Sequence, residues 1–149
     1  MRLMAQLRLD FPDDIFKQLD RMEDVERVAP LMVDAALPVL HRAVVSSYGR
    51  FGLASRVKIV AAKKVKNGGV LGEVTLFGKT GHYYLKGKGR YPLSNAGLAV
   101  FLEYGAAAHG NFPATPAGGY LSKACAAARD EAEAKMQEVF DREMGVEKT

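Results

Sequence analysis

Between residues 24 and 48 the apolar positions fall three or four apart: Val25, Val28, Met32, Ala36, Leu40, Ala43 and Val44. That is the helical period, and it predicts a helix from about Asp24 to Tyr48. Leu31, Val33, Leu37 and Val45 widen the stripe, so this helix is expected to be buried on more than one side. Pro30 reads as a restart and Pro38 as a kink, because proline lacks the N–H and its ring crowds the preceding turn. Gly49 and Gly52 end the segment. The same period returns from Tyr120 to Met144, where Leu121, Ala124, Cys125, Ala128, Ala132, Met136, Val139 and Phe140 form one stripe. Charged residues from Arg129 to Glu143 stand opposite, so this long amphipathic helix needs a sheet or another helix to cover it.

Between the two helices the period changes. Over Arg56–Val65, Val57, Ile59 and Ala61 alternate with Arg56 and Lys58, the pattern of a strand with one face covered. Asn67-Gly68-Gly69 is a turn signal, and Val70–Phe77 resumes strand character, so the pair reads as a β-hairpin. The glycine-, lysine- and tyrosine-rich stretch Gly78–Arg90 reads as a mobile loop or a long hairpin tip. Ser94 is placed to cap a short helix over Ala96–Tyr104, which Gly105 ends. Residues 106–119 are punctuated by proline and glycine and read as an irregular loop. At the front, Ala5–Leu9 suits a short edge strand, and Pro12 with Asp13 and Asp14 suits the first turn of a helix carrying Ile15, Phe16 and Leu19. The expected fold is α+β: an antiparallel sheet built around the hairpin, packed by N-terminal helices and a long C-terminal helix, in a single domain spanning 1–149.

Composition adds little until charge is divided along the chain. The 149 residues are 48% hydrophobic and 26% charged, which suits a chain with a real core. No apolar run approaches the roughly 20 residues of a membrane span, and Arg8 and Asp10 break up the N-terminus as a signal peptide. The lone Cys125 points to a reducing compartment, the cytoplasm. The net charge of +4 is uneven: residues 56–90 hold nine basic residues and one acidic, Glu73, between mildly acidic flanks. A basic middle suits nucleic acid, or a subunit whose middle meets a neighbour's acidic flank.

Candidate chemistry is sparse. Gly78-Lys79-Thr80 resembles the end of a phosphate-binding loop, but Glu73 occupies the position where its first glycine belongs, and the intervening residues read as strand. His41, His82 and His109 match no metal spacing; His41 reads as a helix-surface or boundary residue, the others as loop residues. Cys125 has no basic neighbour in sequence to lower its pKa. No catalytic, cofactor or metal site is expected. Lys63, Lys64 and Lys66 flank the hairpin turn, while Lys79, Lys86, Lys88 and Arg90 interleave with Tyr83, Tyr84 and Tyr91. The segment reads first as a solvated hairpin end with its tyrosines partly packed against the sheet; positive charge beside aromatic rings is also the composition of a protein contact or of a single-strand nucleic-acid contact.

Phe101-Leu102-Glu103-Tyr104-Gly105, then Pro113-Ala114-Thr115-Pro116, then Tyr120-Leu121 and Ala124, resemble the signature of the small tail-completion, or head–tail joining, proteins of long-tailed bacteriophages. The order of elements agrees, although Ala106 stands where that family usually has Thr and Ala117-Gly118-Gly119 lengthens the final loop. The resemblance implies a structural virion or prophage protein with no enzymatic activity. It would assemble in the host cytoplasm with copies of itself into a ring, six-membered in that family, at the head–tail junction or the tail end. Connector and tail-tube proteins would be its neighbours, with no membrane partner and no cofactor. Subunit contacts are then expected from Lys63, Lys64, Lys66, Lys79, Lys86, Lys88, Arg90, Glu103, Gly105, Pro113 and Pro116. Glu103 reads either as a ligand for backbone N–H groups of its own loop or a neighbour's basic segment, or as an exposed helix-end carboxylate. Tyr104 reads as core ahead of its alternative, an interface residue.

Overall fold

In the computed structural model the described residues are 5–6, 25–66, 68–107 and 114–145. The expected helix after Pro12, and Asn67, His109 and Pro113, lie outside them. The order is β1 (Ala5–Gln6), α1 (Val25–Tyr48), two short 3-10 turns, β2 (Val57–Lys64), β3 (Val70–Leu76), β4 (Lys79–Lys86), β5 (Gly89–Ser94), α2 (Asn95–Tyr104) and α3 (Tyr120–Met144). The fold is α+β, with two small antiparallel sheets. One has strand order β1-β3-β2, and the other is the β4–β5 hairpin alone.

α1 is the central layer because it carries two apolar stripes. Val28, Met32, Ala36 and Val39 pack on Ala128, Ala132, Met136, Val139 and Phe140 of α3. Leu37, Leu40, Val44 and Tyr48 pack on Val57 of β2, Val74 and Leu76 of β3, and Ala99 of α2. The two long helices run antiparallel, as the ion pairs Arg27–Glu143 and Arg42–Glu131 show. The alanines of α3 let the helices approach closely. The C-terminal helix therefore covers α1 rather than the sheet.

Two expectations about α1 are corrected. The helix starts ahead of Pro30 and runs through it without a restart; it also continues past Pro38, which lies exposed on its surface. Glu26–Phe51 also has the length and mean hydropathy, 1.5, of a membrane-crossing helix, contrary to the reading from apolar runs. In this fold both of its apolar stripes are covered by the rest of the chain.

The hairpin of β2 and β3 is confirmed, with Val65 N–H donating to Gly69 O (2.9 Å) across the turn. Its alternation holds at first: Val57 and Ile59 pair with Leu76 and Val74 on the α1 face, and Lys58 faces away. Ile59 is nevertheless 40% exposed, because β2 is an edge strand, and a bulge between Val60 and Lys63 breaks the alternation at Ala61, which is exposed. A bulge frees one backbone donor. Here Ala62 N–H, within the bulge, donates to Asp34 Oδ1 of α1 (2.8 Å), which ties the strand to the helix. On β3 the helix comes so close that a Cβ at Gly72 would lie 2.7 Å from Val33 Cγ1 and 2.9 Å from Leu37 Cδ1.

The stretch after Gly78 is a second hairpin rather than a loop, and His82 lies within its first strand. Its base is fixed where Asn95 N–H donates to Gly78 O (3.0 Å) and Asn95 Nδ2 donates to Phe77 O (2.8 Å). Ser94 caps α2, as its sequence position predicts, by accepting Gly97 N–H (2.9 Å).

Gly72 gives a direct check of the sheet–helix distance. Gly72→Val forces a branched side chain into a filled space and should cost about 1–3 kcal/mol. The expected result is a lower denaturation midpoint with an unchanged slope; an unchanged midpoint contradicts the packing.

Candidate interaction surface

The signature residues form a junction between α2 and α3. α3 begins after Gly119, a residue with positive φ and no side chain to cap the orphaned N–H groups of the first turn. Glu103, at the end of α2, takes that role from 18 residues upstream. Its Oε2 accepts Leu121 N–H (2.7 Å), and Oε1 accepts Ser122 N–H (3.2 Å) and the Ser122 hydroxyl (2.6 Å). The carboxylate is 5% exposed, so a charge is held inside by directed donors and by the positive end of the helix dipole. The reading of Glu103 as an exposed helix-end residue is overturned. Its ligands are backbone N–H groups of its own chain.

The backbone around it is zipped. Gly105 N–H closes α2 on Phe101 O (2.8 Å), and Ala106 and Thr115 exchange two hydrogen bonds (2.9 and 2.8 Å). Gly118 N–H donates to Leu102 O (2.9 Å) and Gly119 N–H to Glu103 O (3.2 Å). Gly105 has φ +75°, and a Cβ there would strike the Thr115 carbonyl oxygen and lie 2.7 Å from Ala117 N. Glycine is required by both conformation and space. Pro116 is exposed just beyond this bridge.

Beneath the junction Tyr48, Phe51 and Tyr120 meet edge to face or tilted, with centroids 5.0–6.4 Å apart, and Arg50 covers the Phe51 and Tyr120 rings at 4.9 and 4.3 Å. The Tyr48 hydroxyl is buried without a hydrogen-bond partner among the described residues. Burial, and then the charge of Glu103, push its pKa up to about 12. The same two causes, in the same order, raise the Cys125 thiol, which keeps it protonated at neutral pH and a poor nucleophile.

The basic residues do not form one patch. Cross-strand pairing sets Lys63 opposite Leu71 on the sheet face turned from α1, and Lys64 opposite Val70 on the α1 side, where it pairs with Glu26 (3.1 Å). Lys66 is exposed at the turn. On the outer face Lys58, Lys63, Val60, Glu73 and Phe77 line an open groove of about 520 Å³. Lys79, Lys86, Lys88 and Arg90 belong instead to the β4–β5 arm, Lys79 at its base and the others at its tip.

That arm is uncovered on both faces. Tyr84 and Tyr91 stack on one face (5.6 Å), and on the other Arg90 lies 4.1 Å over the Tyr83 ring beside Leu85, which is 71% exposed. Phe101 and Tyr104 of α2 are also exposed, Tyr104 at 72%, which overturns its reading as core. Helical spacing from the buried Ala99 and Glu103 turns both rings outward, a signal masked in sequence by the apolar run around them. Among the described residues no three His, Cys, Asp or Glu side chains gather as a metal site. Compared with protein families, curated proteins and solved structures, the chain matches none.

Two measurements check the junction. Glu103→Ala leaves two backbone donors and a hydroxyl without an acceptor and should cost about 1–3 kcal/mol, more than Glu103→Gln, which keeps one acceptor oxygen. Equal stability of Glu103→Ala and the parent would refute the cap. For Tyr48 the folded pKa lies above the ordinary 10.0, so its contribution is full below pH 10 and is lost as pH rises towards 12. Tyr48→Phe should leave stability at pH 7 unchanged or higher and remove that part of the alkaline loss; a clear loss at pH 7 would mean that the hydroxyl is satisfied.

Proposed function

We propose that the chain is a structural subunit of the phage tail-completion type, which joins copies of itself in a ring at the head–tail junction or the tail end. The observation that supports this best is the division of labour in the signature. Glu103 and Gly105 are consumed inside the subunit, fixing the angle between α2 and α3, while Phe101, Tyr104 and the arm are left facing outward. A subunit needs both: a rigid frame, so that docking loses little conformational freedom, and uncovered aromatic surface to dock with. In a ring built head to tail, one face of each copy meets a different face of the next, which suits a chain whose charge is unevenly distributed. Six copies, connector and tail-tube neighbours, and a neck or tail location after assembly in the bacterial cytoplasm come from the family resemblance. The reading assigns no reaction, cofactor or membrane partner.

A second reading, a small basic nucleic-acid-binding protein, is favoured by one observation. The arm has three tyrosines and four cations, and no acidic residue lies between Glu73 and Glu103. Such a surface attracts a phosphate backbone and offers rings for base stacking. Leu85, its most exposed apolar side chain, offers neither and favours a protein partner.

Electron microscopy of particles from a lysogen deleted for this gene tests the first reading. Filled heads apart from finished tails, or overlong tails, are the expected outcomes. Normal infectious virions would reject it, and salt-sensitive DNA binding would then favour the second.

A further inference from the structure

A two-stranded hairpin with no third strand and no covering helix is marginal on its own, because neither face is removed from water. Among the described residues the β4–β5 arm is such a hairpin, its main contacts outside itself being with α2 near its base. Tyr83, Tyr84, Leu85 and Tyr91 all stay at least 40% exposed. Lys79, Lys86 and Lys88 have no anionic partner among the described residues. The arm therefore lacks two things, an apolar surface and negative charge.

The chain offers both together on the solvent side of α3. Ala126, Ala127 and Ala134 are exposed there, and helical spacing interleaves them with Asp130, Glu133 and Gln137, opposite the buried stripe. Three alanines make a low-relief helix face on which Tyr83 and Leu85, which share one face of the arm, can lie. Asp130 has no ion pair among the described residues, and Glu133 is held only by Arg129 four residues earlier. The open groove on the sheet is a poorer fit, since Lys58 and Lys63 outnumber Glu73 there and would repel a basic arm.

From this complementarity we infer that the arm of one subunit docks on the outer face of α3 of a second copy through the arm face that carries Tyr83, Leu85 and Arg90, with Tyr83 and Leu85 over the alanines and Lys88 and Arg90 beside Asp130 and Glu133. The inference rests on the ring reading and makes it specific. The contact is heterologous: each copy gives its arm to one neighbour and its helix to the other.

The test uses the full chain with Cys125→Ala, so that introduced thiols are the only ones. Leu85→Cys and Ala134→Cys are made in separate chains, mixed, and treated with a short bis-maleimide. Cross-linked dimers should form on mixing and not from either chain alone. Lys88→Glu with Arg90→Glu in the arm chain should cut the yield by roughly tenfold or more, and Asp130→Lys with Glu133→Lys in the helix chain should restore it. Circular dichroism and melting of each variant confirm that the fold is intact. Sedimentation of the unmodified chain separates the failures. Self-association with no Leu85→Cys to Ala134→Cys product overturns the arm contact and leaves the ring. No self-association at any concentration and no cross-link overturns both. Unchanged cross-linking after arm charge reversal removes the electrostatic basis. Loss of single-stranded DNA binding by the Lys88→Glu and Arg90→Glu chain, without any cross-link in the parent pair, assigns the arm to nucleic acid instead.

Discussion

The carboxylate of Glu103 meets the first turn of α3 from inside the protein, and the position of most other elements follows from that contact. α3 starts on a glycine that cannot cap it, so its N-terminal donors need an acceptor from elsewhere. By supplying one, Glu103 sets where α3 begins, and the alanine stripe then sets how α3 lies along α1. Because α1 also carries the sheet on its other stripe, the carboxylate links α2, α3 and the sheet through one shared helix. Gly105 is the second part of the constraint, since its turn brings Thr115 back beside Ala106 and delivers the chain to the start of α3.

A rigid junction next to an uncovered arm is the feature with functional weight. The buried carboxylate, zipped backbone and ring cluster around Tyr48 make the α2–α3 corner stiff. The arm leaves from the other end of α2, anchored by Asn95 to Phe77 and Gly78, and is then not covered by the described residues. Order at the base and exposure at the tip are what an assembly subunit requires, because the geometry of a ring must be set by the subunit while its contact surface stays free.

Much of this fold was legible in the sequence. The ends of α3, the hairpin turn, the Ser94 cap and the Gly105 stop follow from local rules of period and capping. What was not legible came from contacts distant in sequence. The exposure of Ile59 and Ala61 was not legible, because alternation assigns a face and says nothing of a bulge or of an edge strand. Tyr104 read as core because an apolar run hides which residues face outward, and that depended on Glu103 being drawn inside. The pairing of Lys64 with Glu26 split a lysine cluster that was continuous in sequence. The role of Glu103 was half legible: backbone N–H groups were the expected ligands, but their position 18 residues later was set by the return of the chain through Thr115.

The most direct test of the structural-subunit reading is to count copies of this chain in purified infectious particles by quantitative mass spectrometry against a known capsid component. A small, fixed number per particle, matching one ring, is the expected result. Infectious particles that contain no copy of it would contradict the reading, however well the isolated chain associates with itself.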